Sequence, residues 1–435
     1  MTEQQREKLG LKELVAMGVG GMVGGGIFSV LGLSVNLAGH AAPIAFGIGG
    51  VIAMLTGWSY VRLGLKYRSD GGSFTFLEHA FGHANVAGIS GWLLITGYIG
   101  TLALYAYTFG VYGSALLGDS AASSPMHHML ASGVLLTFLG VNLYGVKASG
   151  QSEDVLVLIK VIILSLFAIV GLFHLRSDHL LPVFNTGEMG VLMGAALIFV
   201  AYEGFELIPN AIHEMRDPEK HLARGIIISI SITTAIYILV SLVAVGNLLP
   251  DEISKYKEYA LAMAAKPFLG QAGFMLIGLG ALLSTASAIN ATLFGTARLG
   301  MVMSQEAAIP NVFSHREKTK DIPYLSLIAI TTISLLVVNI ANLTMISSFA
   351  SSTFLLVFAA INLSAFKLRR RIGIPSALPL LGLGFSLAAW VVLATYLYKT
   401  NAQVLGWMAT AYAAVVVAEL VFSERKLHRR HSVSS

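Results

Sequence analysis

The sequence predicts an all-α integral membrane protein with about twelve transmembrane helices. Three observations predict this class. Hydrophobic residues make up 55% of the 435 residues and charged residues only 12%, whereas soluble globular chains carry about 25% charged residues. The mean hydropathy is +0.75. The apolar residues also form repeated blocks of about 20, which is the length of an α-helix that crosses the hydrocarbon core.

The predicted spans follow one another with short polar connections. Residues 1–12 are polar, and the first apolar segment is long enough to remain as a span, so no cleavable signal peptide is expected. Residues 251–268 are polar and predict a loop with a short helix. The spans are residues 13–34, 42–64, 84–117, 127–145, 153–175, 190–212, 223–248, 270–300, 324–342, 345–367, 376–397 and 403–422.

The distribution of Lys and Arg predicts the orientation of these spans. Of the 28 such residues, 22 lie at the N-terminus, in even-to-odd connections or in the C-terminal tail, and five lie on the opposite side. The positive-inside rule then places both termini in the cytoplasm, in the cytoplasmic (inner) membrane of the cell. Because the basic residues are scattered among short loops, nucleic-acid binding is not expected.

Several classes of chemistry are excluded or unsupported. The chain has no cysteine, which excludes disulfides, thiolate metal sites and cysteine nucleophiles. No histidines or carboxylates show metal-ligand spacing, and no Gly-Lys-Ser/Thr follows the glycine-rich runs as in a nucleotide loop. We therefore expect no enzymatic activity, no metal and no bound cofactor.

The first span, ELVAMGVGGMVGGGIFSVLG, contains six glycines within nine positions. A glycine in a helix interior costs up to about 1 kcal/mol relative to alanine. The consecutive Gly24, Gly25 and Gly26 therefore predict a local break in this helix. The alternative is that these glycines only form a close-packing surface between helices.

The sixth span is interrupted as well. Glu203, Gly204, Glu206 and Pro209 stand in its apolar run, and proline removes a backbone donor and kinks a membrane helix. Interrupted helices at matching positions of two halves indicate the binding site of a secondary transporter. The N-termini of half-helices attract a carboxylate, and freed carbonyls can accept from an ammonium group. A free amino acid carries both groups.

Lys160 stands alone in the apolar run VLVLIKVIILSLFAIVGLF of the fifth span. A lysine at the bilayer centre costs roughly 2.5–3.5 kcal/mol on insertion scales. Burial disfavours the charged form, so such a lysine can take up and lose a proton near neutral pH. The alternative is a permanent cation that tethers this span to carbonyls of the first.

Four ordered segments also match the motif pattern of a known family. They are GGMVGGGIFSVLG in the first span, GGSFTFLEHAFG at residues 71–82, FVAYEGFELIPNAIHEMRDPEKHLARGI from the sixth, and GALLSTASAINATLFGTARLGMVMSQEAAIP from the eighth. Through them the chain resembles the amino acid–polyamine–organocation (APC) superfamily, and most closely its proton-coupled amino acid permeases. The resemblance covers spans one to ten.

The resemblance implies a single domain with the LeuT-type fold. In that fold a 5+5 inverted repeat has its first and sixth helices broken at mid-membrane. The first repeat would cover about residues 13–175, the second about 190–367, and two extra helices about 376–422. The expected function is a proton-coupled amino acid symporter working by alternating access.

The resemblance further implies that an amino acid binds between spans one, three, six and eight. Glycine N–H groups of the first break would bind its carboxylate, and backbone carbonyls would face its amine. Phe199 or Tyr202 would close over the substrate. Tyr98, Tyr105 and Tyr107 of span three are expected to pack, with one of them a candidate for lining the site. The implied binding residues are Gly20, Gly21, Gly24, Gly25, Gly26, Phe199 and Tyr202.

The resemblance also assigns the proton as the coupling ion. In proton-coupled members a lysine of the fifth helix stands where sodium-coupled relatives bind sodium, and Lys160 matches it. Its ammonium would contact carbonyls of span one and the hydroxyls of Ser284 and Ser287, which are i, i+3 neighbours on one helix face.

Two carboxylates depart from the family pattern and leave alternatives open. Glu203 and Glu206 at the sixth-span break would bind a cationic substrate or carry protons, or Glu203 would pair with a basic group such as Lys160. A polyamine, cationic amine or amino acid exchanger is therefore an alternative, and a non-transporting amino acid sensor ranks lower. The expected partners are a small amino acid or amine and the lipid bilayer, with the chain a monomer or a homodimer.

Overall fold

The computed structural model describes residues 8–69, 71–81, 84–119, 124–145, 150–306, 308–310, 313, 315 and 322–422. Across these residues the regular structure is helical, without a β-strand. Nine helices of this part of the chain are long and apolar enough to cross a bilayer, or ten if one bent pair counts as a span. The predicted class, a helical integral membrane protein, is confirmed. The count of twelve spans stays a prediction.

The helices of the first half lie at predicted spans one to six, and α8 forms only the first part of span six. The first span consists of two helices, and an additional short helix, α4, precedes the third span. The helices are α1 (Leu11–Met22), α2 (Gly26–Ala38), α3 (Ala42–Tyr67), α4 (Gly72–Ala80), α5 (Ala84–Leu116), α6 (Pro125–Tyr144), α7 (Gly150–Leu172) and α8 (Gly187–Leu197).

The second half continues with eight helices, of which two are short connections. α12 has 17 residues and is shorter than the other membrane-length helices. The helices are α9 (Pro218–Asn247), α10 (Pro250–Lys255), α11 (Ala260–Gln305), α12 (Tyr324–Ile340), α13 (Leu343–Lys367), α14 (Arg369–Ile372), α15 (Ala377–Thr400) and α16 (Ala402–Phe422).

The polar segment 251–268 contains more helix than the sequence predicts. After α10 and the 3-10 turn Lys257–Tyr259, α11 begins at Ala260. A break inside α11 occurs at Gly270, whose φ of +60° and ψ of −151° are not helical. Glycine accepts this positive φ without the steric cost that a Cβ would bring. The first ten residues of α11 are thus a separate helical arm before the eighth span.

Even-to-odd connections meet one another and the N-terminal segment on one side of the bundle. Leu9 donates its N–H to the carbonyl of Glu214 at 2.8 Å, which joins the N-terminal segment to the connection after span six. Arg68 at the end of α3 forms a 3.1 Å ion pair with Glu219 at the start of α9. Residues 1–7 and 423–435, on which part of the predicted orientation rests, lie outside the described residues.

The odd-to-even connections also contact one another, or the end of a neighbouring span, through hydrogen bonds from backbone N–H groups. His40 donates its N–H to Asn185 Oδ1 at 3.0 Å, and Arg176 donates its N–H to the carbonyl of Gly246 at 3.0 Å.

Helices differ in how deeply they lie in the bundle. In the apolar windows of α5 and α13, 72% of the residues are buried, against 22% in α15 and α16. The third and tenth spans are therefore central and the last two peripheral.

Candidate functional site

The first span is broken at its consecutive glycines. α1 ends at Met22 and α2 begins at Gly26, so Gly24 and Gly25 lie between the two half-helices. Gly24 donates its N–H to the carbonyl of Gly21 at 3.3 Å, and the N–H of Gly25 lies toward the hydroxyl of Tyr105 on α5. The first N–H groups of α2 lack intrahelical acceptors, as at every helix start. The break therefore offers N–H groups suited to an anionic ligand.

Neighbouring spans approach this break so closely that side chains are excluded from it. A Cβ on Gly24 would stand 2.7 Å from the Ala288 methyl group of α11, and a Cβ on Gly25 would collide with the Tyr105 ring of α5. A Cβ on Gly26 would meet a tyrosine hydroxyl of α9 at 2.9 Å. Gly24, Gly25 and Gly26 thus interrupt the helix and also form a close-packing surface, so both interpretations made from the sequence apply.

The sixth span is also broken, and the break lies at Glu203 and Gly204. After α8, the chain forms a 3-10 turn over Phe199–Tyr202 and a 3-10 segment over Phe205–Glu214, with a 50° bend between α8 and these turns. Glu203 is extended and Gly204 has a φ of +124°. Only glycine adopts such a φ readily. Pro209 lies inside the second 3-10 segment, so the glycine rather than the proline makes the break.

The two broken spans cross in direct backbone contact. A Cβ added to Gly204 would stand 2.6 Å from the carbonyl carbon of Gly21 and 2.7 Å from the nitrogen of Met22. The hydroxyl of Tyr237 on α9 lies 2.6 Å from the carbonyl oxygen of Met22 and 2.9 Å from that of Ala201. The hydroxyl of Tyr237 thus hydrogen-bonds to one backbone carbonyl from each broken span.

Two carboxylates of the sixth span face α5 at this crossing. Glu203 accepts a hydrogen bond from the hydroxyl of Thr101, and Glu206 accepts one from Tyr98 at 3.2 Å and one from the N–H of Gly204 at 2.7 Å. Their side chains are only 3% and 1% exposed, respectively. No ion pair neutralises either carboxylate within the described part of the chain. Buried carboxylates without a counter-ion are suited to bind a cation or a proton.

Lys160 contacts the first span beside its break. Its side chain is 2% exposed, and its Nζ donates to the carbonyl of Gly20 at 3.3 Å. Val157, one turn earlier on α7, packs on the same glycine, where an added Cβ would stand 2.6 Å from Val157 Cγ2. The described residues contain no salt bridge between Lys160 and Glu203. The ammonium therefore faces a backbone carbonyl of α1, as the resemblance implies.

The two serines of the eighth span have different surroundings. Ser284 donates to the carbonyl of Val23 at 2.5 Å and also contacts the carbonyl of Gly24. Ser287 is half-buried. Neither serine forms a hydrogen bond with Lys160 in the part of the chain that is described. Ser284 thus holds the first break from the side of α11, while Lys160 contacts α1 one turn before that break.

The two aromatic candidates for closing the site are wholly buried. The hydroxyl of Tyr202 donates to the carbonyl of Phe46 on α3 at 2.5 Å. The ring of Phe199 packs edge-on against Phe358 of α13 at a centroid distance of 5.6 Å. Both side chains contact neighbouring spans. If either ring moved to close over a ligand, it would lose these contacts and gain contacts with the ligand.

Sequence reasoning named Tyr98 and Tyr105 as packing residues, one of them a candidate for lining the site, but missed Thr101 and Tyr237 at the crossing. Tyr98, Thr101 and Tyr105 follow an i, i+3, i+7 spacing on α5, which places them on one helix face. The spacing was therefore a usable signal for a lining face, although it points equally to packing. Nothing in the local sequence distinguishes Tyr237, because its role depends on two carbonyls supplied by other spans.

Comparison with known proteins supplies the family of the chain. Residues 9–418 match the family model described as amino acid permease. An uncharacterized protein of Methanocaldococcus jannaschii is 32% identical over 98% of both chains. The inner membrane transport protein YbaT of Escherichia coli is 30% identical over 96% of this chain and 97% of its own. The branched-chain amino acid permease BcaP of Bacillus subtilis is 25% identical over 84% of this chain and 82% of its own.

Proposed function

The chain belongs to the amino acid permease family, and from that premise we propose that it is a proton-coupled amino acid symporter of the cytoplasmic membrane. Family membership already indicates a transporter rather than an enzyme. The observation that carries the finer proposal is the crossing of the two broken spans at Gly21 and Gly204, with Lys160 bonded beside it at Gly20.

The substrate amino acid binds at this crossing. Its carboxylate accepts from the N–H groups at Gly25 and Gly26, where α2 begins with its positive dipole end. Its ammonium group lies toward the carbonyls that the breaks free, and the carboxylate of Glu203 is available to a positively charged substrate side chain. This polarity is supported by the start of α2 at Gly26, where the first N–H groups lack intrahelical acceptors, and by the burial of Glu203 without a counter-ion.

Lys160 carries the coupled proton. As an ammonium it forms a charge-assisted hydrogen bond to Gly20, and such bonds are roughly twice as strong as neutral ones. As a neutral amine it binds the same carbonyl more weakly, so release of the proton loosens α7 from α1. The proposal is supported by the position of Lys160 next to the break rather than at the lipid surface.

The transport cycle is alternating access. In the proposed 5+5 inverted repeat, twelve spans with cytoplasmic termini hold the site at mid-membrane, and one bundle rocks against the other. The outward-open state binds the amino acid and the proton. The inward-open state releases both after Lys160 loses its hold on the first span. No cofactor besides the proton takes part.

A second candidate function is exchange of cationic amines or amino acids. Glu203 and Glu206 favour it, because two buried carboxylates at the substrate position compensate positive charge better than they accommodate a neutral side chain. In an exchanger the return step requires an internal amine instead of a proton. This candidate shares the site and the fold with the first and differs in what drives accumulation.

Uptake into proteoliposomes tests both candidates. Neutral, acidic and cationic amino acids and polyamines are offered with an inward proton gradient, without one, and with the gradient collapsed by a protonophore. Accumulation of an amino acid that requires the gradient supports symport. Uptake that ignores the gradient and requires a trapped internal amine supports the exchanger and overturns proton coupling.

A further inference from the structure

A polar cavity of about 200 Å³ lies outside the crossing of the broken spans. Four of its seven lining residues carry polar side chains, Asn36, Lys257, Thr344 and Tyr396, and the others are leucines. Its volume is several times the ~30 Å³ that one water molecule occupies in the liquid. The cavity can therefore hold a small organic molecule.

The position of this cavity links it to both breaks. Asn36 belongs to α2, the half-helix that leaves the first break, and Leu197 is the last residue of α8, two residues before the turn Phe199–Tyr202. The cavity thus lies between the ends of the two half-helices, on the side away from Gly21. In the proposed orientation this side is external, so the cavity lies on the path from outside to the crossing.

The segment that carries Lys257 is held firmly against α2. A Cβ on Gly32 would collide with the backbone carbonyl of Lys257. The 3-10 turn that contains this lysine connects α10 with α11 and packs along the same half-helix. The lysine backbone therefore has a fixed position at the cavity and is not part of a loosely attached loop.

The charge of the lining is one-sided. Lys257 lines the cavity, and no carboxylate does. Within the described residues Lys257 forms no ion pair and no hydrogen bond through its ammonium. The amide of Asn36 and the hydroxyls of Thr344 and Tyr396 add donors that can serve an anion. A cleft with one cation and several neutral hydrogen-bond donors is complementary in charge and hydrogen bonding to a carboxylate.

We propose that this cavity is an outer carboxylate site, in which Lys257 attracts the carboxylate of an incoming amino acid before the molecule moves to the crossing. The inference rests on the proposed function for the identity of the ligand. A cleft lined by one sign of charge raises the local concentration of the opposite charge and the rate of association. The site therefore acts on capture of substrate from dilute solution, and not on the maximal rate of transport.

The absence of cysteine in the chain permits a direct test. In Lys257→Cys the charge can be restored with an ethylammonium methanethiosulfonate or reversed with the ethylsulfonate reagent. We expect the unmodified variant to raise the KM of uptake about three- to tenfold at an unchanged maximal rate, the ammonium reagent to restore the KM, and the sulfonate to raise it further. Lys255→Cys, whose lysine lies over the Tyr256 ring in the same connection, is the matched control and leaves the KM unchanged.

A second measurement does not depend on transport. Thr344→Cys is labelled with the anionic and the cationic reagent, with Lys257 intact or changed to Gln. We expect the ratio of the anionic to the cationic labelling rate to fall about three- to tenfold in Lys257→Gln, because the attracting charge is lost. An unchanged ratio overturns the site, even if the chain transports amino acids. A changed ratio in a chain that transports no amino acid retains the anion site and overturns only the proposed function.

Discussion

Gly204 lies directly against Gly21, so that the backbones of the two interrupted spans touch where both helices are broken. No side chain separates them, and a Cβ on either glycine would come within about 3 Å of the other backbone. This contact allows the carbonyls and N–H groups of two breaks to face one small volume. The arrangement explains why the candidate site is built largely from backbone groups, with a few side chains around it.

Replacing Gly204 by alanine should destabilise the protein strongly. The positive φ of +124° costs a residue with a Cβ about 1–2 kcal/mol, and the collision with Gly21 adds an overpacking cost of about 1–3 kcal/mol. We expect a lower melting temperature in detergent and loss of uptake. Gly118→Ala separates the two costs, because Gly118 has a φ of +90° and open space around it. Equal melting temperatures of the two variants would contradict the role of the backbone contact.

Replacing Tyr237 by phenylalanine should weaken both breaks together. Its hydroxyl serves the carbonyls of Met22 and Ala201, and a buried acceptor left without a donor costs about 1–3 kcal/mol. We expect lower thermal stability and slower uptake with an altered KM. Tyr112→Phe is the control, because its hydroxyl donates to the carbonyl of Phe28 within α2 and contacts the backbone at Leu261 and Ala262, so it does not join the two breaks. If Tyr112→Phe slowed uptake as much as Tyr237→Phe, the bridge between the breaks would have no special role.

The two breaks could be predicted from the sequence because their causes are local. Consecutive glycines at Gly24 to Gly26, and Gly204 between two glutamates, interrupt apolar runs in a way that is visible within ten residues. The partners of these breaks could not be predicted in the same way. Tyr237 is 215 residues from Met22, and Thr101 is 102 residues from Glu203. Such contacts depend on how the spans pack, and no local pattern records that packing.

The span boundaries also divide into features that the local sequence determines and features that it does not reveal. Apolar length alone located the helices that cross the membrane, including α3, α9 and α13, because that length is set by the bilayer. The length of the helical arm at the start of α11 was not predicted, because the arm follows the charged stretch 251–258 and contains Pro267, and both features favour a loop with only a short helix. Its end is fixed by Gly270, and an isolated glycine does not by itself reveal a positive φ.

Changing Glu203 to glutamine should alter substrate selection more than the same change at Glu206. Both oxygens of Glu206 accept hydrogen bonds, from Tyr98 and from the N–H of Gly204, whereas Oε1 of Glu203 has no such partner among the described residues. Glu203 is therefore the carboxylate that can bind a ligand. We expect Glu203→Gln to lower the ratio of cationic to neutral amino acid uptake about tenfold, which corresponds to ~1.4 kcal/mol.

Competition assays with radiolabelled substrate measure this ratio. Glu206→Gln is the matched control and should chiefly lower thermal stability, because it weakens the bonds that shape the break. Glu203→Asp retains the charge and should keep most of the preference for cationic substrates. An identical substrate profile for wild type and Glu203→Gln would exclude this carboxylate from the binding site.

Replacing Lys160 by methionine should separate transport from proton coupling. Methionine keeps an unbranched side chain as far as Cε but cannot carry a proton, and the carbonyl of Gly20 loses its donor. We expect accumulation driven by an inward proton gradient to fall to the level of protein-free liposomes, while exchange of internal for external amino acid at equal pH continues. Val157→Ala is the control, because it alters packing against Gly20 without removing a charge. Full gradient-driven uptake in Lys160→Met or Lys160→Ala would make the lysine a structural tether and move the proton to the carboxylates of the sixth span.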